Sequence, residues 1–423
     1  MKELEATSTP GAAIGIVQDG KLIYAAGVGK RNVETGDPVT RQTLFRLGST
    51  TKMLTAAAVA SLAAEGKVHL SETTGKYIPG LDPVIGALTV NQILSHTAGL
   101  KDDAVMNGRH DDAALGEEIR RWNSAWLFTK PGAIYSYSNP GFWLGGLVAE
   151  SVTGKPYADA MEEVVFRPLG MTSTTLRPKV AMTRELSQPH DMVHKHISVL
   201  RPAPDNTANW PAGSVFSNVV DLSRFVIAMM NDGQIDGKQV LPREVVSALT
   251  SPHADIPGLT WKYGYGLTLI PTESGWVWSH QGSRDGYGSI ITMFPSHRDA
   301  VIVLCNRTGQ NLPKTFDLIV HQLGDPDPRT HESNEGAAIS RSEFAEYTGT
   351  YRNGATTIKI LERDGRLLFK GSIGTLQMTR DSEGWLLLKD DHGQLLGRAF
   401  GIAGPDGRME YMHISGRASA RVH

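Results

Sequence analysis

Two groups of β-forming segments, set at opposite ends of a long stretch of chain, constrain the fold more than any other feature. AAIGIVQ and KLIYAAGVG, separated by the turn pair Asp19-Gly20, form a predicted hairpin near the start. GWVWSHQGS, GSIITMFP and DAVIVLCNR, divided by Gly, Pro and Asp, supply three more predicted strands much later. Between them lie helix candidates: Thr50–Glu65 before Gly66, Asn139–Ser151 before Gly154, and Asp221–Met230 before Gly233. This order predicts an α/β fold in which one sheet is assembled from both chain ends and a helical insertion carries the middle.

Composition changes after Gly324. The segment DPDPRTHESNEGAAISRSE is polar, charged and poor in large apolar residues, as a surface linker is. Beyond it EYTGTYR, TTIKIL, RLLFK, TLQM, WLLLK, LLGRAF and RMEYMHI alternate with turns, which predicts a small antiparallel β-barrel without a helix. The expected division is a first domain over 1–337, a linker at about 324–342, and a barrel over 338–423. The terminal HISGRASARVH is expected as a short tail able to reach a site in its own or a neighbouring subunit. The barrel would cover a pocket mouth, limit substrate size, join subunits into a homo-oligomer, or serve stability alone.

Charge and hydropathy exclude several classes of partner. Lys plus Arg number 42 against 44 Asp plus Glu, a formal charge of -2 without a like-charge block, so no footprint for nucleic acid or an anionic membrane surface exists. The longest apolar stretch, Met53 to Ala64, is Ala-rich and far shorter than the roughly 18 to 20 residues of a membrane span, and reads as a buried helix. The first residues, MKELEATSTPG, lack an apolar signal core, so the expected location is cytoplasmic, or exported with a leader absent from this numbering. The single cysteine, Cys305, excludes an internal disulfide.

Three motifs carry candidate chemistry, and no G-x-S-x-G elbow competes with them. Ser49-Thr50-Thr51-Lys52 opens the Ala-rich helix, so Lys52 lies one turn after Ser49 on the same face and can approach its hydroxyl. Tyr137-Ser138-Asn139 precedes the second helix. A phenol needs a neighbouring cation to act as a base, and an Asn amide can hold an acyl group. His280-Gln281-Gly282-Ser283 lies on a late strand, where Gly282 admits a substrate backbone and the N–H of Ser283 can share an oxyanion with that of Ser49. His190, His194 and His196 lack a carboxylate at fixed spacing and read as a polar loop rather than a metal site.

In this order and on these elements, S-x-x-K, Y-x-N and H-x-G resemble the serine β-lactamase, penicillin-binding-protein and family VIII carboxylesterase superfamily. The flanks LFRLGSTTKMLTA, LTVNQILSHTAGL, YSYSNPGFWLGGLVAE and PAGSVFSNVVDLSRF extend the resemblance over about residues 8 to 322, and the C-terminal stretch looks like the lipocalin-like barrel of some members. The resemblance implies an acyl-enzyme on Ser49, with Lys52 and Tyr137 sharing proton duty and either one as the base. It implies substrate and oxyanion contacts from Asn139, His280, Gly282 and Ser283, no metal and no cofactor. His280 stands where many members carry Lys, which weakens the expectation for β-lactams unless Arg284 turns inward as a substitute cation. A carboxylesterase or amidase acting on a small ester, amide or short peptide is the first expectation. A D-aminopeptidase-like enzyme, a β-lactamase or DD-carboxypeptidase, and an inactive binding protein on the same fold are the alternatives.

Overall fold

The computed structural model describes residues 1–324 and 335–422. Residues 325–334, within the expected linker, and the terminal His423 lie outside the described residues.

The expected α/β sheet is present. Strands β1 (Gly11–Gln18) and β2 (Lys21–Gly29) form the hairpin around Asp19-Gly20. The late strands are β3 (Ala254–Asp255), β4 (Lys262–Tyr263), β5 (Thr268–Thr272), β6 (Gly275–Arg284), β7 (Tyr287–Phe294) and β8 (Asp299–Cys305). Their order across the antiparallel sheet is β2-β1-β8-β7-β6-β5-β4-β3, so β1 pairs with β8 and joins the two chain ends. Residues alternate between two buried faces. Ala13, Ile291, Met293, Ile302 and Leu304 belong to the main core, while Ile14, Ile290, Val301 and Val303 meet Phe316, Ile319 and Val320 of a flanking helix.

The insertion packs on the first face. Helix α1 (Thr51–Ala64) is buried from Thr51 to Leu62, and its small Ala side chains let neighbouring elements pack closely around it. Helix α2 (Asn139–Thr153) lies against it, and α3 (Val219–Met230) covers β1 and β8. Ser138 caps α2 by accepting from Gly141 N at 3.4 Å, which fixes where the Tyr137-Ser138-Asn139 segment turns into helix.

The C-terminal part is a closed antiparallel barrel of eight strands: β9 (Gly349–Asn353), β10 (Thr356–Arg363), β11 (Arg366–Gly371), β12 (Gly374–Arg380), β13 (Leu386–Lys389), β14 (Leu395–Ala403), β15 (Met409–Ile414) and β16 (Arg417–Arg421). Pairing of β12 with β13 closes the ring. Ile358 and Ile360, Leu367 and Phe369, Leu376 and Met378, Leu386 and Leu388 point inward at period two and fill it. Two expectations are corrected. A helical turn, Phe344–Tyr347, occupies the start of the EYTGTYR region behind a capping box of Ser340 and Glu343, so helix is not absent. The terminal HISGRASAR is the last hairpin of the barrel rather than a tail, with Ser415 and Gly416 at positive φ in its two-residue turn.

Among the described residues no helix is long and apolar enough to cross a membrane.

Candidate active site

The site begins at an interrupted sheet edge. β6 pairs with β7 over Trp278–Arg284, but with β5 only over Gly275–Ser279, which leaves the edge of 280–284 open. The two-residue turn Asp285-Gly286 makes Arg284 and Tyr287 a hydrogen-bonded pair. By alternation Ser283 and Gly288 form a non-hydrogen-bonded pair, so the Ser283 N–H points to the open edge. Against this edge lies the turn Gly48–Thr50 that leads into α1. Ser289 Oγ and Thr50 Oγ1 both donate to Leu47 O, at 2.7 and 2.9 Å, and pin the turn to the sheet.

Two glycines permit the approach. A methyl group on Gly48 would lie 2.7 Å from Ser283 N, and one on Gly282 would lie 2.1 Å from Leu47 O and 3.1 Å from Ser49 N. The amides of Ser49 and Ser283 therefore sit beside each other at the start of α1, as an oxyanion pocket requires. Gly282→Ala is expected to push the strand and turn apart, slow fluorophosphonate labelling of Ser49 about 100-fold or more, and cost about 1–3 kcal/mol in urea unfolding. Unchanged labelling would show that the two amides do not work together.

Lys52 is wholly buried beneath Ser49. Its Nζ lies 3.2 Å from Ser49 Oγ, 2.7 Å from Asn139 Oδ1 and 2.8 Å from Ala212 O. Burial, with a smaller contribution from Arg417, holds the amine well below its usual pKa, and the negative charge of Asp102 partly opposes this. A neutral amine has two hydrogens and one lone pair. In that form, with two pure acceptors in place, the hydrogens would go to Asn139 Oδ1 and Ala212 O and leave the lone pair facing the Ser49 hydroxyl.

The Tyr137 ring lies 4.8 Å from Lys52 Nζ. Its hydroxyl is buried without a well-formed hydrogen bond. Burial raises its pKa further than the neighbouring Ser49 hydroxyl lowers it, so the phenol keeps its proton. His280 is also neutral: burial, the largest cause, pushes it down to about 3. The hydrogen bonds around it fix one proton arrangement. His96 Nδ1 accepts from Ser138 N at 3.1 Å, so His96 Nε2 donates to Tyr263 Oη at 3.1 Å. Tyr263 in turn faces His280 Nε2 at 3.4 Å, and His280 Nδ1 donates to Gln281 O at 2.6 Å.

The structure thus brings Ser49, Lys52, Tyr137, Asn139, His280, Gly282 and Ser283 together around a cavity of about 730 Å³, with Lys52 as its buried support. Arg284 does not serve as a substitute for the missing lysine. Its guanidinium is buried against Gly213 O and Pro204 O, 3.9 Å from Asp205, which also binds Arg46. His190 is held by Val33 N and Asn306 O, and among the described residues no group of three metal-ligating side chains gathers.

The terminal HISGRASARVH, expected to reach a site, does so in its own chain through the β15–β16 hairpin, and with Asp102 and Tyr263, which sequence reasoning did not single out, it completes the wall. The β15–β16 turn reaches the cavity, where Gly416 O accepts from Tyr137 N at 2.8 Å and Ala418 N donates to Ser136 Oγ at 3.1 Å. Arg417 lies over the Tyr137 ring at 4.9 Å and donates from Nε to Asp102 Oδ2 at 2.6 Å. Asp102, Tyr263 and Arg417 carry no spacing motif. The trace in the sequence is the terminal HISGRASARVH, expected to reach a site, whose Arg417 follows a Ser-Gly turn.

The sheet built from both chain ends and the helical insertion at its face define a protein of the serine-hydrolase superfamily to which the beta-lactamases belong. More particularly, the chain belongs to the beta-lactamase family, whose model matches residues 1–324. Among curated proteins it is similar to Protein flp of Staphylococcus aureus strain N315, 25% identical over 341 residues. That match covers 76% of this chain but 64% of the relative, so the chain spans under two thirds of that protein's length. A putative D-alanyl-D-alanine carboxypeptidase of Escherichia coli O157:H7 is 28% identical over 70% of this chain and 78% of its own. Of solved structures, SurE with D-Leu matches with a TM-score of 0.81 and 25% identity over 100% of this chain and 97% of that one. The octameric penicillin-binding protein homologue from Pyrococcus abyssi shares the fold over 99% of this chain and 98% of its own, with a TM-score of 0.67 and 20% identity.

Proposed function

We propose that this protein is a serine hydrolase that cleaves a small ester or amide through an acyl-enzyme on Ser49. The amide of a short peptide ending in a D-amino acid with a free carboxylate is the substrate the site fits best. Ser49 Oγ attacks the carbonyl carbon as its proton passes to the Lys52 lone pair, and the oxyanion forms between the amides of Ser49 and Ser283. Tyr137, protonated and unshared, gives its proton to the departing amine or alkoxide, and Lys52 restores it. Water then repeats the sequence on the acyl-enzyme and frees Ser49.

One observation carries the choice of substrate: the guanidinium of Arg417, with its side chain 43% exposed, stands at the cavity wall over the Tyr137 ring. Lys52 is buried, His280 is neutral and Arg284 is buried, so Arg417, paired with Asp102 through Nε but partly exposed, is the cation presented to a ligand beside the proton donor. A carboxylate held there belongs to the group that leaves, which in a peptide is the C-terminal residue. The D configuration is supported by the D-Leu bound to SurE and by the putative D-alanyl-D-alanine carboxypeptidase among the relatives. The second reading is a plain carboxylesterase, favoured by the neutral His280 in place of a cation on β6.

A panel of p-nitrophenyl esters, D- and L-aminoacyl anilides, nitrocefin and short peptides with D-terminal residues, each as free acid and as amide, tests this. The free D-acid is expected to exceed its amide about 10- to 100-fold in kcat/KM, the value of a charge-assisted hydrogen bond, and Arg417→Gln should erase the difference. Turnover of neutral esters with no preference for a free acid would establish the carboxylesterase instead.

A further inference from the structure

We propose that Arg417 and Asp102 are positioning residues for Lys52, so that the barrel sets the catalytic lysine through the chain Arg417, Asp102, Asn139, Lys52. The idea rests on the preceding section in taking Lys52 as the base.

The contacts form one continuous path. Arg417 Nε donates to Asp102 Oδ2 at 2.6 Å. The other oxygen, Asp102 Oδ1, accepts from Asn139 N at 2.8 Å and from Asn139 Nδ2 at 3.0 Å. Asn139 Oδ1 faces Lys52 Nζ at 2.7 Å. The carboxylate dictates which way the amide points. Only with Nδ2 toward Asp102 does Oδ1 meet the amine, because a flipped amide would set oxygen against carboxylate and N–H against N–H. The turn that brings Arg417 also fixes the backbone just before Asn139, through Gly416 O with Tyr137 N and Ala418 N with Ser136 Oγ. Loss of Asp102 would thus free the amide that faces Lys52, and loss of Arg417 would remove the contact that holds Asp102 in place.

The same pair acts on Lys52 as opposed charges. The titratable groups around Lys52 are Tyr137 before α2, His96 on the preceding loop, His280 on β6, Tyr263 on β4, and the Asp102–Arg417 pair. Burial holds both histidines neutral and both tyrosines protonated. Asp102 and Arg417 are the charges that remain, the first favouring the ammonium and the second opposing it.

The test is a titration of the full chain carrying 13Cε-labelled lysine, with the Lys52 resonance assigned by its loss in Lys52→Arg. Arg417→Gln is expected to raise the Lys52 midpoint by about one unit and Asp102→Asn to lower it by about one unit, while Arg417→Lys stays near the parent. A disturbance of packing alone would not move the two in opposite senses. Midpoints that stay fixed, or that shift the same way in both variants, would overturn the proposal. If Asp102→Asn fails to fold, the contrast between Arg417→Gln and Arg417→Lys decides: equal midpoints refute the coupling. The resonance is read without substrate, so a protein whose Ser49 never labels would sink the acyl-enzyme reading while the lysine titration still decides this one.

Discussion

Ser49→Ala will keep the fold and lose catalysis, with turnover of any ester or amide substrate down on the order of 10⁴ to 10⁶. Ser49 is only half-buried, and its hydroxyl meets one well-placed partner, Lys52 Nζ at 3.2 Å. Its removal opens no core cavity, and a stability change within about 0.5 kcal/mol is expected. The catalytic loss is large because the covalent route disappears whole: among the described residues Ser49 carries the hydroxyl hydrogen-bonded to Lys52 Nζ. Intact-mass measurement after a fluorophosphonate probe checks this, since the parent should gain one adduct and the variant none. A variant that retained more than a tenth of the parent turnover would remove Ser49 from the nucleophile's place.

Much of the scaffold was legible because local signals and long-range needs agreed. Turn pairs Asp19-Gly20 and Asp285-Gly286 punctuate apolar, β-branched runs, of which β1 and β7 are buried along nearly their whole length, so the sheet could be read from sequence. Most of the motif residues were visible because they lie at or near the end of an element that a turn or cap defines, while His280 lies mid-strand in β6. What stayed hidden depended on partners distant in sequence. Asp102 sits in a charged loop, and Arg417, its ion-pair partner, is 315 residues away. β16 reads as RASAR, without the branched and aromatic residues that mark a strand, so the last hairpin looked like a tail. The neutralised setting of Arg284 needed Asp205, Pro204 O and Gly213 O, none of which any spacing rule places beside it. The sequence also left the base undecided between Lys52 and Tyr137, because the acceptor that orients the amine is a backbone carbonyl, Ala212 O.

Lys52→Met is expected to lower kcat/KM about 10²- to 10⁴-fold, the usual worth of a general base, with a substitute of similar length that keeps the space filled. Tyr137→Phe should lose a comparable factor. The double variant should be little worse than the poorer single one, because one proton travels from Ser49 through Lys52 and Tyr137 to the leaving group within a single step. Additive losses would show two independent roles. The pH dependence has a definite sign. With Lys52 as the proposed base, only its free amine can take the Ser49 proton, so activity is expected to fall on the acid side as it protonates, and burial sets that limb well below the pH at which an ordinary lysine would lose its proton. Stability carries the same signature. The unfolded lysine binds its proton up to about pH 10.4, while the folded one has already lost it, so the parent gains stability as pH rises through the window between the depressed folded value and about 10.4. The contribution is complete above that window and is lost as pH falls through the folded value. Urea unfolding of parent and Lys52→Met across this range should show a slope in the parent that the variant lacks. Parallel curves would mean that Lys52 is an ammonium in the folded protein, and then it could not accept the Ser49 proton.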